Sequence, residues 1–453
     1  MATDTAYMTQ GNLPKQILRF SAPLMLSNVL QVLFNMSDIA VVGQFAGAEA
    51  LGAVGSTATL VFLFTGFLIG IGNGINARTA MYLGSRSDRD TEETVHTSCI
   101  LSALIGVLLL IIGVVFARPL LELLNTKDGL IDGACLYLRI YFLGMPALAL
   151  YNFGNAVFSA AGNTKKPLVY LLVAGVINVL LNLLFVIVCE LDVAGVAIAS
   201  AVSQYVSAIL IISALLRTDE SYRLRFSKLR LYRDKSRSVL SLGVPAGLQN
   251  SIFAIANLFI QSGVNSFDAV IVEGNSAAAN ADSLVYDVMA AFYIACSSFM
   301  GQNYGAGKRD RVLKSYGVCL FYSFAIGAIL GLFVVFFGES FLSVFSSDRE
   351  VIEAGMIRLK IMGFCYAFSA FMDCTIAASR GLGKSTIPMV LVFLGSCVFR
   401  IAWVYTVFAH FKTLESLYLL FIFSWVITAI AEILYFFLAA VKKQLPKTRE
   451  CAA

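Results

Sequence analysis

The chain has 453 residues, of which 58% are hydrophobic and only 13% are charged. A soluble domain has about 45–50% apolar and about 25% charged residues, so this composition excludes an ordinary soluble enzyme, a secreted domain and a disordered chain. Lipid is therefore expected to be the main solvent of the protein. The net charge of +5 lies in loops between apolar segments, which is typical of membrane proteins and does not indicate a nucleic-acid partner.

Twelve apolar segments follow one another along the chain, each long enough for a transmembrane helix, which needs about 20 residues. In order they are residues 16–42, 50–80, 94–117, 134–160, 167–189, 193–216, 239–266, 273–300, 312–338, 354–379, 386–409 and 414–440. The first segment is too long for a cleavable signal peptide and carries Asp38, so we expect it to remain as a helix. The predicted fold class is all-α integral membrane.

Lysine and arginine residues are distributed unevenly between alternate loops. Twenty-five of them fall in the two termini and the even-numbered loops. The opposite loops carry only four, which are Arg118, Lys127, Arg349 and Lys412. Because basic loops stay on the cytoplasmic side of a membrane, both termini are expected to be cytoplasmic.

Short motifs recur in the two halves of the chain. Gly84, Leu138 and Gly162 precede Gly305, Leu359 and Gly383 by 221 positions, and Pro23 precedes Pro245 by 222. Both copies run in the same direction, which predicts two six-helix bundles related by a pseudo-two-fold parallel repeat. The predicted domains are an N-terminal bundle (1–216), a cytoplasmic basic connector on anionic headgroups (217–238), a C-terminal bundle (239–440) and a cytoplasmic tail (441–453). Such a repeat is typical of a transporter with a cleft between two bundles.

Polar residues in the apolar segments of the N-terminal half predict one oxygen-rich pocket. They include Gln31, Asn35 and Asp38 on one face of the first helix, Asn152 and Asn155 on the fourth, Asn178 and Asn182 on the fifth, and Ser200 on the sixth. Asparagines of this kind also join helices by hydrogen bonds, but a buried carboxylate is a costly way to do so. Sodium prefers several hard oxygen ligands, and a carboxyl group removed from water binds a proton more readily, so both ions remain open.

The C-terminal half has a different set of polar residues, which predicts a substrate cavity. Its members are Asn250, Asn257 and Gln261 on the seventh helix, Tyr286, Asp287 and Tyr293 on the eighth, Asp373 on the tenth and Arg400 on the eleventh. Two interpretations of Asp287, which lies near tyrosines, remain open: it holds an organic cation, helped by cation–π contacts, or it is part of a solvated cavity wall. Asp373 and Arg400 are expected to form an ion pair.

Catalytic and metal-binding motifs are not found in this sequence. The nine cysteines form no CxxC pair, and only two isolated histidines occur, so neither a zinc site nor a disulfide framework is expected. HExxH, GxSxG and P-loop motifs are absent as well, which argues against an enzyme and against ATP as the energy source. No cofactor is expected apart from a coupling ion.

Four motifs resemble the multidrug and toxic compound extrusion (MATE) family, most closely its DinF-like bacterial branch. They are APLMLSNVLQVLFNMSDIAVVGQFAGAEALGAVG, NVLLNLLFVIVCELDVAGVAIASAVSQ, GQNYGAGKRDR and ASRGLGKSTIPM. The resemblance covers essentially all twelve helices. It implies the MATE (MOP-superfamily) fold, a V-shaped central cavity between the bundles, and export of cationic drugs driven by influx of Na⁺ or H⁺.

The resemblance also assigns roles to single residues. Asp38 matches the first-helix acid of the family, and Gln31, Asn35, Asn155, Asn178 and Ser200 match positions of its N-lobe site. Asn182 departs from the branch, which often has an aspartate there, so Asp38 is the only carboxylate of the pocket. This favours H⁺ as the coupling ion, and the alternative is Na⁺ at Asp38, Asn178, Asn182 and Ser200. The seventh-helix acid of another branch is absent, and the register of Asp373 does not fit that branch's sodium-ligating acid.

The expected function is that of a secondary active antiporter in the bacterial plasma membrane. It exports cationic or amphiphilic organic compounds in exchange for H⁺ or Na⁺ by alternating access. Membrane lipids are its other expected partners, and it is expected to act as a monomer. The alternative is a flippase of the same superfamily that moves a lipid or a lipid-linked oligosaccharide.

Overall fold

The structure is a computed structural model that describes residues 8–442, apart from the side chains at positions 439 and 440. Within these residues it contains helices and loops and no strand. In chain order the helices are α1 (Leu13–Val41), α2 (Gly47–Gly84), α3 (Asp88–Leu123), α4 (Asp128–Leu143), α5 (Met145–Ala160), α6 (Lys165–Leu183), α7 (Asp192–Arg217), α8 (Arg233–Val264), α9 (Ala269–Gly305), α10 (Arg309–Leu342), α11 (Arg349–Gly381), α12 (Thr386–Phe411) and α13 (Leu414–Tyr435). The prediction of an all-α fold is confirmed.

Ten continuous helical stretches are long and apolar enough to cross a membrane. The pair α4–α5 adds an eleventh if it forms one span bent by 47°. The first stretch, Leu13–Gly84, has 72 residues and would be about 108 Å long if straight, which is enough for two spans. It is interrupted at Gly47, whose φ of 87° is unfavourable for a residue with a side chain. The expected twelve spans therefore agree with the structure.

The predicted single helix over residues 134–160 is instead two helices. α4 ends at Leu143 and α5 begins at Met145, and Gly144 lies between them. Pro146 lacks a backbone N–H and is tolerated in the first turn of a helix but not in its interior. The bend places α5 against α3, α2 and α7.

The described chain forms two compact units. The first is Ala22–Ser251, and the second combines residues 8–21 with residues 252–442. The divisions fall inside α1 and α8, so the first turns of α1 belong to the second unit and the first half of α8 belongs to the first. The first unit has two apolar core clusters, built largely from α2–α5 and α7, and the second has one at α9–α11.

Close packing of glycines explains why the first half of α8 lies in the first unit. A Cβ atom on Gly70 would lie 2.2 Å from the backbone nitrogen of Gly247, and one on Gly74 would lie 2.3 Å from that of Gly243. The backbones of α2 and α8 therefore touch at two points one turn apart. Small residues at this spacing favour helix association in lipid, where no hydrophobic effect drives apolar helices together.

Candidate functional site

The first unit contains a closed ring of hydrogen bonds around Asp38. Asn182 donates its Nδ2 to Asp38 Oδ1 at 2.5 Å and to Asn178 Oδ1 at 3.3 Å. Asn178 Nδ2 donates to Ser200 Oγ at 3.5 Å, and Ser200 Oγ donates to Asp38 Oδ2 at 3.3 Å. We call these four residues the Asp38 ring. Their side chains come from α1, α6 and α7.

Local geometry explains why these residues meet. Asn178 and Asn182 lie one turn apart on α6 and so share one face of the helix. A π-helical turn, Leu184–Val188, follows α6, and a short loop leads into α7, which returns alongside α6 and carries Ser200. Asp38 lies in the last turn of α1, just before a π-helical turn over Val42–Ala46. Such turns occur often at functional sites.

One polar atom of the Asp38 ring has no hydrogen-bond partner in residues 8–442. Asn182 is 0% exposed, and its Oδ1 has no hydrogen-bond partner in the described part of the chain. A buried amide oxygen without a partner costs about 1–3 kcal/mol. The ring thus combines one carboxylate with several neutral oxygens, which is a donor set suited to a proton or to a small hard cation.

Other polar residues predicted for the N-terminal pocket lie outside the Asp38 ring. Asn155 Oδ1 accepts a hydrogen bond from Ser159, one turn along α5, at 3.5 Å. Asn152 donates to the backbone oxygen of Leu148 on its own helix. Gln31 and Asn35 are exposed on α1. The structure therefore brings Asn178, Asn182 and Ser200 to Asp38. Of the residues predicted for the same pocket, it leaves these outside the Asp38 ring: Gln31, Asn35, Asn152 and Asn155.

In the second unit, the predicted ion pair between Asp373 and Arg400 is wrong, although both side chains are buried. Arg400 instead donates to Ser424 Oγ at 3.1 Å and to Asn257 Oδ1 at 3.5 Å. Its guanidinium also lies 4.8 Å from the centre of the Phe421 ring. Hydroxyl, amide and aromatic groups thus take the place of the carboxylate. Asp373 Oδ2 is buried without a hydrogen-bond partner among the described residues.

The remaining predicted cavity residues lie on α8 and α9. Asn250 belongs to the first unit and donates to the backbone oxygen of Gly66 on α2 at 2.9 Å. In the second unit, Gln261 Nε2 donates to Asn265 Oδ1 at 2.9 Å. The rings of Tyr286 and Tyr293 are 6.2 Å apart, and Tyr286 is 45% exposed. Asp287, half-buried, follows Tyr286 on the same helix.

Comparison with known proteins settles the family. The sequence profile of the MatE family matches the chain twice, over residues 23–184 and 245–406. The two ranges are equal in length and start at Pro23 and Pro245, so the predicted repeat is confirmed. The chain belongs to the MatE family. As a member, it is a multi-pass membrane transporter and not an enzyme, and the resemblance stated from the motifs is confirmed.

Relatives of this MatE-family chain match it over most of their length. The "Probable multidrug resistance protein YpnP" of Bacillus subtilis (strain 168) is 30% identical over 393 residues, which cover 86% of this chain and 88% of the relative. The "FAD transporter" of Shewanella oneidensis is 25% identical over 343 residues, or 74% of this chain and 75% of the relative. A solved structure of a multidrug resistance MATE family transporter, in an outward-facing conformation, aligns with a TM-score of 0.90 and 21% identity. That alignment covers 98% of this chain and 99% of the other, and it shows a shared fold.

A buried ion pair in the second unit of this MatE-family chain was missed by the sequence analysis. Arg358 on α11 donates Nε to Asp282 Oδ2 at 2.7 Å, and its Nη2 lies 2.6 Å from the same oxygen. Its Nη1 donates to Asn275 Oδ1 at 2.5 Å. Tyr366 donates to Asp282, and Tyr418 donates to Asn275 at 3.0 Å. The spacing of Asp282 and Arg358 in sequence carries no signal of this contact.

The structure also places part of the basic connector against α3, which the sequence analysis did not predict. The backbone N–H of Arg225 donates to His96 Nε2 at 3.0 Å, and His96 Nδ1 donates to the backbone oxygen of Glu92 at 2.6 Å. Lys228 Nζ donates to Glu92 Oε1 at 2.7 Å. Lys235, in the first turn of α8, is buried and pairs with Asp90. Acidic residues in the first turns of α3 thus bind basic residues that follow α7.

Proposed function

We propose that the chain is a secondary active antiporter that exports cationic or amphiphilic organic compounds in exchange for protons, and that Asp38 binds the proton. The Asp38 ring carries this proposal, because it is an acid enclosed by neutral polar groups inside an apolar bundle. An intramembrane acid in such a setting is by default a functional residue. The names of the multidrug resistance relatives support the class of substrate.

The hydrogen bonds at Asp38 favour a proton over Na⁺. Both carboxylate oxygens accept from donors, Asn182 Nδ2 and Ser200 Oγ. A sodium ion at the carboxylate would face the N–H side of the Asn182 amide, which repels a cation. To ligate Na⁺, this amide would have to turn its unpartnered Oδ1 towards Asp38. A proton needs a smaller change: it can bind to Asp38 Oδ2 and donate to Ser200 Oγ once the Ser200 hydroxyl, which donates to this oxygen in the structure, has rotated away.

The proposed orientation places both termini and residues 217–238 in the cytoplasm, as the distribution of basic residues predicts. The proposed location is the plasma membrane of a bacterium, and the proposed state is a monomer. With this orientation, Asp38 lies at the end of α1 that is nearer the outer surface. A proton would therefore enter the Asp38 ring from the side on which the proton concentration is high in an energised cell.

The test is export by proteoliposomes in which a pH gradient is imposed without sodium. Wild-type protein is expected to transport an organic cation under these conditions, and Asp38→Asn is expected to fall to the rate of protein-free liposomes. Asn182→Asp should shift the dependence towards Na⁺, because a second carboxylate favours a bound cation. Asn155→Asp is the matched control, since Asn155 lies outside the Asp38 ring. Wild-type transport that requires sodium would contradict proton coupling.

An anionic substrate, such as a nucleotide or a lipid-linked phosphate, is the second candidate. Arg400 is 2% exposed and forms no ion pair in residues 8–442, and one relative is named as an FAD transporter. A buried guanidinium that is held by neutral groups alone keeps its charge available for a phosphate. Proteoliposomes that take up FAD and not organic cations, and lose this uptake in Arg400→Gln, would favour this candidate.

A further inference from the structure

Another acid, which is buried and has no partner among the described residues, lies in the second unit, in the last turn of α13. Glu432 is 0% exposed, and neither of its carboxylate oxygens has a hydrogen-bond partner in the described part of the chain. No ion pair within 4 Å includes it among these residues. An ionised carboxylate in such a place costs several kcal/mol, so the group must be neutralised by a proton or by a nearby cation.

Among the described residues, the helices around Glu432 supply no charged group that pairs with it. α13 packs against α11 and α12. From α11, Arg380 and Asp373 both act on Glu432 through space, and they act in opposite directions. From α12, Arg400 is engaged by Ser424 and Asn257. These surroundings leave the charge of an ionised Glu432 uncompensated.

We propose that Glu432 is a proton-binding site of the second unit, separate from the Asp38 ring, and that it holds its proton as a neutral carboxylic acid that is not paired with Arg380. Loss of the proton would create a carboxylate that attracts the guanidinium of Arg380, whose buried Nε also lacks a partner in the described residues. A movement of the Arg380 side chain would then join the two as an ion pair. The site thus has two states, an acid apart from Arg380 and a carboxylate bound to it.

Chemical labelling tests the proposal without any measurement of transport. Dicyclohexylcarbodiimide reacts with protonated carboxyl groups in apolar surroundings and leaves a stable adduct that mass spectrometry can locate. In the purified full chain we expect labelling at Glu432, falling severalfold as the buffer becomes alkaline. Glu415, an exposed acid in the first turn of the same helix, should stay unlabelled. Asp38→Asn should leave the labelling of Glu432 unchanged. The Glu432 proposal can therefore succeed or fail independently of the proposal that Asp38 binds the coupling proton.

Two variants separate a proton site from a structural ion pair. Glu432→Gln replaces the neutral acid with a group of the same shape, so its melting temperature in neutral buffer should equal that of the wild type. Arg380→Gln should extend the labelling of Glu432 to more alkaline buffer, because removal of the positive charge favours the protonated acid. If Glu432 stays unlabelled and Glu432→Gln lowers the melting temperature as much as Arg380→Gln, the two residues form a fixed ion pair and the proposal is wrong. If a variant does not fold, the test depends on the wild type alone: labelling at Glu432 supports the proposal, and its absence contradicts it.

Discussion

Three of the acids that lie inside the apolar bundles have three different environments. Asp38 accepts hydrogen bonds from two neutral donors, Asp282 is paired with Arg358, and Glu432 has no partner in residues 8–442. The cost of removing a carboxylate from water is offset differently in each case, by neutral dipoles, by an opposite charge or, as proposed, by a proton. Substitution of one residue should therefore have a different consequence at each acid.

Removal of Arg358 should destabilise the protein strongly. The side chains of Arg358 and Asp282 are only 11% and 14% exposed, so Arg358→Gln leaves a buried carboxylate without its counter-charge. We expect a loss of about 3–5 kcal/mol in the free energy of unfolding. The measurement is thermal unfolding of the purified protein in detergent.

The matched control for Arg358 is another arginine of the same helix. Arg349 pairs with Glu353, but their side chains are 92% and 67% exposed. Arg349→Gln should cost no more than about 1 kcal/mol, because water screens an exposed pair. Equal shifts of the two melting temperatures would mean that the Arg358 pair contributes no more than a surface contact.

The sequence predicts the Asp38 ring better than it predicts the Arg358 pair, for a physical reason. Asp38, Asn178 and Asn182 stand out because each interrupts a long apolar run, and polar groups in such runs must face one another. Arg358 lies near the start of α11, where a charged residue is ordinary, and Asp282 is remote in sequence. The same limit explains why the predicted ion pair was wrong. Asp373 is a buried acid and Arg400 is a buried base, so they look like partners. The sequence does not reveal that Ser424 and Asn257 are the groups that contact Arg400.

At the scale of elements, the connector is fixed by backbone hydrogen bonds as well as by charge. Thr97 on α3 donates its Oγ1 to the backbone oxygen of Arg230 at 3.4 Å and accepts from the N–H of Tyr232 at 3.3 Å. Tyr222 and Leu224 are buried in the core of the first unit. The segment between α7 and α8 is thus a docked part of the first unit, although its composition resembles that of a flexible basic loop.

Loss of the Thr97 hydroxyl should loosen the connector. Thr97→Val keeps the shape of the side chain but leaves the Arg230 carbonyl and the Tyr232 N–H without this partner. In inside-out vesicles, trypsin should cleave the connector severalfold faster in this variant than in the wild type. The control is Thr65→Val, because Thr65 Oγ1 bonds only to carbonyls of its own helix α2. Equal cleavage rates in both variants would contradict the role of Thr97.

Helix positions could be predicted from hydropathy because lipid imposes a minimum apolar length on every span. The bend at Gly144 could not be predicted from hydropathy, since residues on both sides of it are equally apolar, and its one signal is Pro146, which is unfavourable inside a helix. The docking of the connector depends on His96, and one isolated histidine in a sequence does not indicate which backbone N–H it accepts.

At the scale of the whole molecule, the proposed orientation can be tested on a native cysteine. Cys189 follows α6 and is exposed, whereas Cys99, Cys135, Cys296, Cys319, Cys365, Cys374 and Cys397 are buried. If both termini are cytoplasmic, the loop after α6 faces the outside. A membrane-impermeant maleimide added to intact cells should then label the wild type and fail to label Cys189→Ser.

An introduced cysteine in the connector is the control for this orientation. Ser227 is exposed in the connector. Ser227→Cys, made in a chain that also carries Cys189→Ser and Cys451→Ser, should react only after the cells are permeabilised. Reaction of this cysteine in intact cells would reverse the proposed orientation and would also place the Asp38 end of α1 on the cytoplasmic side.

The division of α1 and α8 between the two units has a consequence for biosynthesis. The ribosome makes residues 8–21 well before residues 252–442, yet the two ranges pack together in one unit. The first unit likewise cannot be completed until the first half of α8 has been made, because Gly243 and Gly247 of α8 pack against α2. A fragment released after residue 216 would leave that glycine face of α2 open to lipid. Although the sequence repeats, gene fragments cut at the connector therefore encode incomplete folding units, and we expect each to need the other in the same membrane.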